Sequence, residues 1–162
     1  MMGITTHIRT AVTNDIPHII KLAELEYNHF DQTTPFDPFL CERYIWTILN
    51  NPETVSIVLV DNRDIPFGYL TGLLDYIDLS TEPTAVARQF FVNNPKQMYG
   101  NRNYGLELIA SFEGWASHKG AKRTMIGFRM NPGQRRNYDR TFKSIDYQPN
   151  VVYYSKDMKE TK

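Results

Sequence analysis

The chain has 162 residues, enough for one domain that buries roughly 70% of the surface its unfolded form exposes and needs neither disulfide nor metal to hold together. Lysine plus arginine and aspartate plus glutamate number 18 each, and at a formal net charge of zero nothing argues for the one-signed stripe that tracks nucleic acid, which still leaves room for a local basic patch. The single cysteine, Cys41, cannot form an internal disulfide, and no run of about 18 apolar residues or leader-type apolar core marks a membrane span or signal peptide, so a soluble cytoplasmic protein is expected.

In chain order, His7 to Val12 alternates with the period of a strand. Thr13-Asn14-Asp15 then offers capping oxygens ahead of Pro17, which a first helical turn tolerates. The helix that follows has Ile19, Ile20, Leu22, Ala23, Leu25 and Tyr27 as its apolar face, and the polar cluster Asp31 to Pro35 interrupts it. The spacing predicts a second helix over Pro38 to Asn50, with Leu40, Tyr44, Ile45, Ile48 and Leu49 inward and Asn50-Asn51-Pro52 as its stop. From there the period changes. Thr54 to Val60 is a β-branched run, Asp61 to Asp64 a turn, and Pro66 to Ile77 a second, longer strand, together an antiparallel hairpin followed by a loop from Asp78 to Thr84.

Ala85 to Asn93 reads as the fourth strand, and Asn103 to Lys119 as the third helix, with Leu106, Leu108, Ile109, Phe112, Trp115 and Ala116 buried and Gly120 ending it. Lys122 to Met130 is a fifth strand, Arg135 to Ile145 a short helix, and Val151 to Tyr154 the centre of a last strand. The order β-α-α-β-β-β-α-β-α-β describes one α/β domain of the α+β type over residues 1–162, with 157–162 as a frayed tail.

The stretch from Phe90 to Gly120 carries the chemistry. A buried strand, a Gly/Asn-rich turn and an amphipathic helix place unsatisfied backbone N–H groups at a helix N-terminus, where they and the helix dipole attract phosphate. By itself YGNRNYG also fits an ordinary polar connection capped by Asn103, so the residues alone leave both readings open.

The words IRTAVTNDIPHIIKLAE, VSIVLVDNRDIPFGYLTG, FFVNNP, GLELIASFEGWASHKGAKRTMIGF and RTFKSIDYQPNVVYYSKDM, in that order, span nearly the whole chain. In them it resembles the GCN5-related N-acetyltransferases, and among these the small acetyltransferase-like proteins often met in phages and bacteria. The resemblance implies a mixed, mostly antiparallel sheet whose fourth and fifth strands splay apart. Acetyl-CoA would enter that wedge, with Phe91 and Val92 offering backbone groups to the pantetheine arm. The amides from Gly100 through Asn101, Arg102, Asn103 and Tyr104 to Gly105 would hold the pyrophosphate, and Asn131 would be a further cofactor contact. The family pattern in the loop is Gln/Arg-x-x-Gly-x-Gly/Ala. Here Gly105 matches its last position, Gly100 stands where Gln or Arg is usual, and Asn103 stands at the middle glycine. Arg102 is the cation available in place of the missing one.

Acetyl transfer to an amine needs orientation, a neutral nucleophile, polarisation of the thioester carbonyl and a proton for the departing thiolate. The family often takes that proton from a tyrosine, and the matching position here is Phe142, which has none to give. Tyr138, four residues earlier on the same helical face, is the nearest substitute, with packing of the helix as its alternative role. Tyr153 and Tyr154 alternate faces on the last strand, so that one of them lines an acceptor groove. Asp75, Asp78 and Glu82 are either acceptor-side acids or solvated ones, and Arg88 and Gln89, at the place of a frequent family glutamate, are not bases. The four histidines show no metal-ligand spacing.

The reading that follows is an acetyl-CoA-dependent N-acetyltransferase acting on a primary amine, of a small molecule or of a protein or peptide, by direct attack in a ternary complex. Catalysis would fall to Tyr138, Asp75 and Tyr153, with no metal, and a homodimer through the last strand fits the resemblance. The alternative is a catalytically degenerate relative that serves as a CoA-binding or protein-interaction and regulatory module. A Rossmann-type domain fits less well, because its glycine fingerprint follows the first strand, whereas the glycine-containing turn here follows the fourth.

Overall fold

Strands form where the sequence alternates and helices where its apolar residues recur at helical spacing, in a computed structural model that describes residues 6–30, 34–93, 103–127 and 135–149. The strands are β1 (His7–Thr10), β2 (Thr54–Val60), β3 (Pro66–Asp75), β4 (Thr84–Val92) and β5 (Arg123–Ile126). The helices are α1 (Ile16–His29), α2 (Pro38–Leu49), α3 (Tyr104–His118) and α4 (Arg135–Lys143). Short 3-10 turns cover Thr13–Asp15 and Ile77–Leu79, so the third strand stops two residues before the predicted Ile77. The predicted last strand, Val151 to Tyr154, lies outside the described residues, as do the end of the predicted fifth strand beyond 127 and the tail 157–162.

The sheet runs β1-β2-β3-β4-β5 and is mixed: the first three pairings are antiparallel and β4–β5 is parallel. Because side chains alternate along each strand, it has two buried faces. On one, Val55, Ile57, Leu59, Leu70, Ala85 and Ala87 pack under Leu108, Phe112 and Ala116 of α3. On the other, Val58, Val60 and Tyr69 meet Ile19, Leu22 and Ala23 of α1 and Ile45 of α2. Contact between α3 and β3 depends on Gly72, where an added Cβ would come within 2.5 Å of the Phe112 ring.

Two leucines expected inward are on the surface, Leu25 at 48% and Leu40 at 60% exposure. The helical phase explains both. In α1 the buried stripe Ile16, Ile19, Leu22 and Ala23 continues to position 26, about 100° from Leu25. In α2 the stripe defined by Ile45 and Ile48 extends back to Cys41 rather than Leu40.

The ends are fixed locally. Asp15 is buried and takes the Val12 amide at 2.8 Å while receiving Nη1 and Nη2 of Arg9 at 2.6 and 3.0 Å, which ties β1 to the start of α1. Arg9 also donates to Asp64 at 3.0 Å, across the β2–β3 turn. In that turn the Asp61 carboxylate accepts the amides of Arg63 and Ile65. Asp37 caps α2 through the amides of Phe39 and Leu40. At the end of α3, Gly120 adopts φ +77°, and the bonds from Ala121 N–H to the Ala116 carbonyl and from Gly120 N–H to the Ser117 carbonyl close a Schellman motif, the glycine stop expected there.

Two compact units divide the chain, Met1–Arg129 and Met130–Lys162. The second contains α4 and the turn after it, where the Phe142 ring meets Tyr147 edge-on at 5.7 Å and the Tyr147 amide returns to the Phe142 carbonyl.

Candidate functional site

The site begins with one extra residue in β4. Thr71 pairs with Gln89 but the next residue, Gly72, pairs with Ala87, so Arg88 is a bulge against β3. A bulge bends its strand and increases the local twist. The parallel pairing with β5 covers Thr84 to Ala87 and ends with Gly127 N–H on the Ala87 carbonyl at 3.0 Å. Among the described residues, β4 from Arg88 to Val92 therefore has β3 on one side and no strand on the other. The resemblance expects the fourth and fifth strands to splay here, and residues 128–130, which continue the predicted fifth strand, lie outside the described residues.

The ladder decides which backbone groups of this segment face away from β3. Asn93 donates to the Phe67 carbonyl, which sets the phase of the β3–β4 bonds, and bonded pairs recur at every second residue. Phe91, opposite Tyr69, thus directs its amide and carbonyl into β3, while Phe90 and Val92 direct theirs away from β3. The sequence reading named Phe91 and Val92 for main-chain contact with the pantetheine; the register directs Val92 away from β3 and Phe91 into it. The bulge also resets the alternation of side chains. Phe90 and Val92 pack with the α3 face, and Phe91 packs on the α1/α2 face.

The N-terminus of α3 lies beside the same segment. A Cβ on Gly105 would stand 3.0 Å from Cζ of Phe90, so the absence of a side chain lets the first helical turn sit against that ring. The carboxamide of Asn103 accepts the Leu106 amide at 3.2 Å as an N-cap, and the Glu107 amide returns to the Asn103 carbonyl. The Gly105 amide has no acceptor within the helix, as helix geometry dictates at this position. Tyr104 is buried and meets Phe67 edge-on at 5.3 Å, so its side chain belongs to the core and any ligand contact is limited to its main chain. Gly100, Asn101, Arg102 and Asn131 lie outside the described residues.

Of the residues expected to do chemistry, the acids Asp75 and Glu82 lie away from this segment. Asp75 pairs with Thr84 at the far end of β3, while Phe90 pairs with Leu70, five residues and about 16 Å away along the strand. Its carboxylate accepts the Tyr76 amide at 2.8 Å and lies 3.8 Å from the Arg88 guanidinium. Glu82 is on the surface, where its amide bonds Ser80. Tyr138 is half-buried on α4, in the second unit, and Tyr153 and Tyr154 lie outside the described residues.

A polar group that the sequence reading missed occupies the α1/α2 face at this level. The Tyr69 hydroxyl, fully buried, donates to Oε2 of Glu26 on α1 at 2.6 Å. Two residues on, Thr71 lies 3.3 Å from the Tyr44 hydroxyl of α2 and donates to the Gln89 carboxamide at 3.5 Å. Across β2, Ser56 pairs with Thr71, and its buried hydroxyl has no hydrogen-bond partner among the described residues. Burial, with the Glu26 charge adding to it, holds the Tyr69 phenol well above its ordinary value. The same two causes push the Cys41 thiol up to about 11, which keeps it protonated and unsuited to nucleophilic work. The signal in the sequence was the stripe of α1, which places a glutamate where its period calls for an apolar residue.

No family profile matches the sequence, and no curated protein matches it. Solved structures do. An aminoglycoside N-acetyltransferase, AAC(6')-Iy in complex with CoA, superposes with a TM-score of 0.73 over 96% of this chain and 97% of its own, at 17% identity. A transcriptional regulator from Bacillus halodurans gives 0.73 over 95% and 100% of the two chains at 15% identity. A GNAT family acetyltransferase from Staphylococcus aureus gives 0.65 over 95% and 99% at 13% identity. The α+β architecture, with its mixed open sheet, is the GCN5-related N-acetyltransferase fold.

Proposed function

We propose that this chain is an acetyl-CoA-dependent N-acetyltransferase that acetylates a primary amine by direct attack in a ternary complex. One observation carries the reading: the main-chain groups of Phe90 and Val92 point away from β3, beyond the last described β4–β5 pair, with the N-terminal turn of α3 seated beside them through Gly105. Pantetheine carries amide groups, and the outward main-chain groups of Phe90 and Val92 offer it strand-like hydrogen bonds. The Gly105 amide and the dipole of α3 favour the pyrophosphate, and the preceding loop, with Gly100, Asn101 and Arg102, completes its seat. Asn131 is a further contact in this reading. The match to structures of CoA-binding acetyltransferases over nearly the full length supports the assignment.

Acetyl-CoA supplies the activated thioester. The amine nitrogen attacks its carbonyl, the C–N bond forms, the C–S bond breaks, the nitrogen sheds a proton and the thiolate gains one. The chain's part is to hold both reactants in line and exclude water. Tyr138 and Tyr153 are the proposed donors to the thiolate, and Asp75 is the proposed acid on the acceptor side.

Acetyl-CoA added to the protein raises its melting temperature, and adding a panel of amines and peptides then releases CoA. No shift at millimolar acetyl-CoA overturns the proposal. A second reading, a CoA-binding regulatory module without turnover, is favoured by the likeness to a transcriptional regulator and by Phe142 at the usual tyrosine position. A melting shift without CoA release from any amine selects it.

A further inference from the structure

Both faces of the sheet are buried, yet at the level of the β4 bulge the α1/α2 face is lined by hydroxyls and an amide. Ser56, Thr71 and Gln89 form a row across β2, β3 and β4, set by the pairings Ser56 with Thr71 and Thr71 with Gln89. Tyr44 joins the row from α2. Thr71 is fully buried and Ser56 is 1% exposed, so these two are the floor of the row. Tyr44 and Gln89 are half-buried and form its outer end.

A buried polar group is costly unless it finds a partner, and this row is under-bonded. The Ser56 hydroxyl has no hydrogen-bond partner among the described residues. Thr71 Oγ1 lies 3.3 Å from the Tyr44 hydroxyl and 3.5 Å from Oε1 of Gln89. Both are longer than the roughly 2.5–3.0 Å of a well-made O–H···O bond. The Gln89 carboxamide turns its oxygen to Thr71 and keeps the donors of its NH2 group for something else. The slackness is local: two residues along β3 on the same face, Tyr69 bonds Glu26 at 2.6 Å.

Resting on the acetyltransferase reading, we infer that Tyr44, Thr71 and Gln89, with Ser56 beneath them, form a subsite for one neutral hydroxyl group of the acceptor, which makes the acceptor an amino alcohol. The row holds no carboxylate, amine or imidazole, so a charged group brought against Thr71 and Ser56 would be buried without a counter-ion. Arg88, next along β4, is exposed and directed to Asp75. A hydroxyl both donates and accepts, so it can take an N–H of Gln89 and give its own proton to the Tyr44 or Thr71 oxygen. Gln89 immediately precedes Phe90, whose main chain is proposed to meet the pantetheine, so the subsite stands about 3 Å along the strand from the cofactor segment. The two ends of the acceptor have separate tasks. Its hydroxyl is held in the row, and its nitrogen is left free to shed a proton and attack as the neutral amine.

The test compares 3-amino-1-propanol with butylamine as acceptors for the whole protein with acetyl-CoA. The two match in chain length and amine and differ by a hydroxyl in place of a methyl group. Wild type favours the amino alcohol in kcat/KM by roughly tenfold or more, through KM. Thr71→Val keeps the shape, deletes the central hydroxyl and brings the ratio toward one, with the acetyl-CoA melting shift retained. Tyr44→Phe, at a half-buried position, lowers the ratio by a smaller factor and serves where Thr71→Val does not fold. Equal use of the two amines by wild type, the result if water alone fills the row, overturns the subsite and leaves the cofactor reading standing. So does an unchanged ratio in the folded variants, or a melting shift with acetyl-CoA but no CoA release from the amino alcohol. No melting shift in wild type overturns the underlying reading instead.

Discussion

The two faces of the sheet solve different problems with the same strands. Under α3 every buried position is apolar, and the fit is tight enough that Gly72 has no room for a methyl group beside Phe112. Under α1 and α2 the strands carry Ser56, Thr71 and the Tyr69–Glu26 pair within an otherwise aliphatic layer. Alternation along a strand lets one backbone serve both, because outside the bulge neighbouring residues point to opposite faces. The first face holds the fold together, and the second gives up part of its burial energy to polar groups.

Substitutions can break this contrast or sharpen it. Phe112→Ala, in the centre of the α3 face, is expected to cost about 3–5 kcal/mol, a fall in melting temperature of roughly 6–20 °C. A loss below about 1 kcal/mol would show that this face is not the mainstay. Asp15→Asn, beside the α1/α2 face, is expected to cost about 2–4 kcal/mol at neutral pH, since it leaves the Arg9 guanidinium without its buried partner.

The Asp15 pair also has a pH signature. Burial pushes the Asp15 carboxyl up, but the Arg9 hydrogen bonds, the Val12 amide and the Arg9 charge outweigh it and leave the carboxyl below its usual range. A lowered folded value means that the contribution is complete above the unfolded value of about 3.9 and is lost as pH falls through the folded one. Denaturant titrations between neutral pH and acid should therefore show stability dropping below about pH 4, with a shallower acid limb in Asp15→Asn. Equal limbs would remove Asp15 from the account.

Gly72→Ala is a smaller perturbation of the α3 face, expected to cost about 1–3 kcal/mol through the forced retreat of Phe112. Ser56→Ala, on the opposite face, should have the opposite sign. Deleting a buried hydroxyl that lacks a partner is expected to stabilise the protein by about 1 kcal/mol, read as a shift in the urea midpoint at constant slope. A destabilised Ser56→Ala would mean that the polar row is a structural network and not the cost of a site.

Much of this architecture was legible in the sequence because it rests on period and punctuation. Thr54–Val60 begins and ends where its β-branched run does, and the Gly120 stop and Asn103 start of α3 follow from φ freedom and a side-chain oxygen. Phase was harder to read than period. Leu25 and Leu40 are apolar and helical, yet one position off the buried stripe turns each to solvent. The bulge at Arg88 has no local signature in ARQFFV, since an extra residue is defined only against the partner strand. For that reason Phe91 was expected to offer its main chain and Phe90 was not. Glu26 was missed because a charged residue in an apolar stripe reads as a flaw in the helix until Tyr69, 43 positions away, is seen to meet it.

That single extra residue makes β4 sensitive to its own length. Deleting Arg88 would make Gly72–Ala87 and Thr71–Gln89 consecutive pairs, so the strand would return to strict alternation with Phe90 and Phe91 on the faces they already occupy, and only the local bend and twist would be lost. Insertions in the loop after Asp75 displace no such alternation. Deletion of Gln89 or Phe90 instead closes the bulge by setting Arg88 opposite the buried Thr71, so these two should be purged from a library of functional variants far more strongly than deletion of Arg88 or equal changes in the Ile77–Pro83 segment. Which residue is the extra one, and not only that there is one, decides what stands beside Thr71.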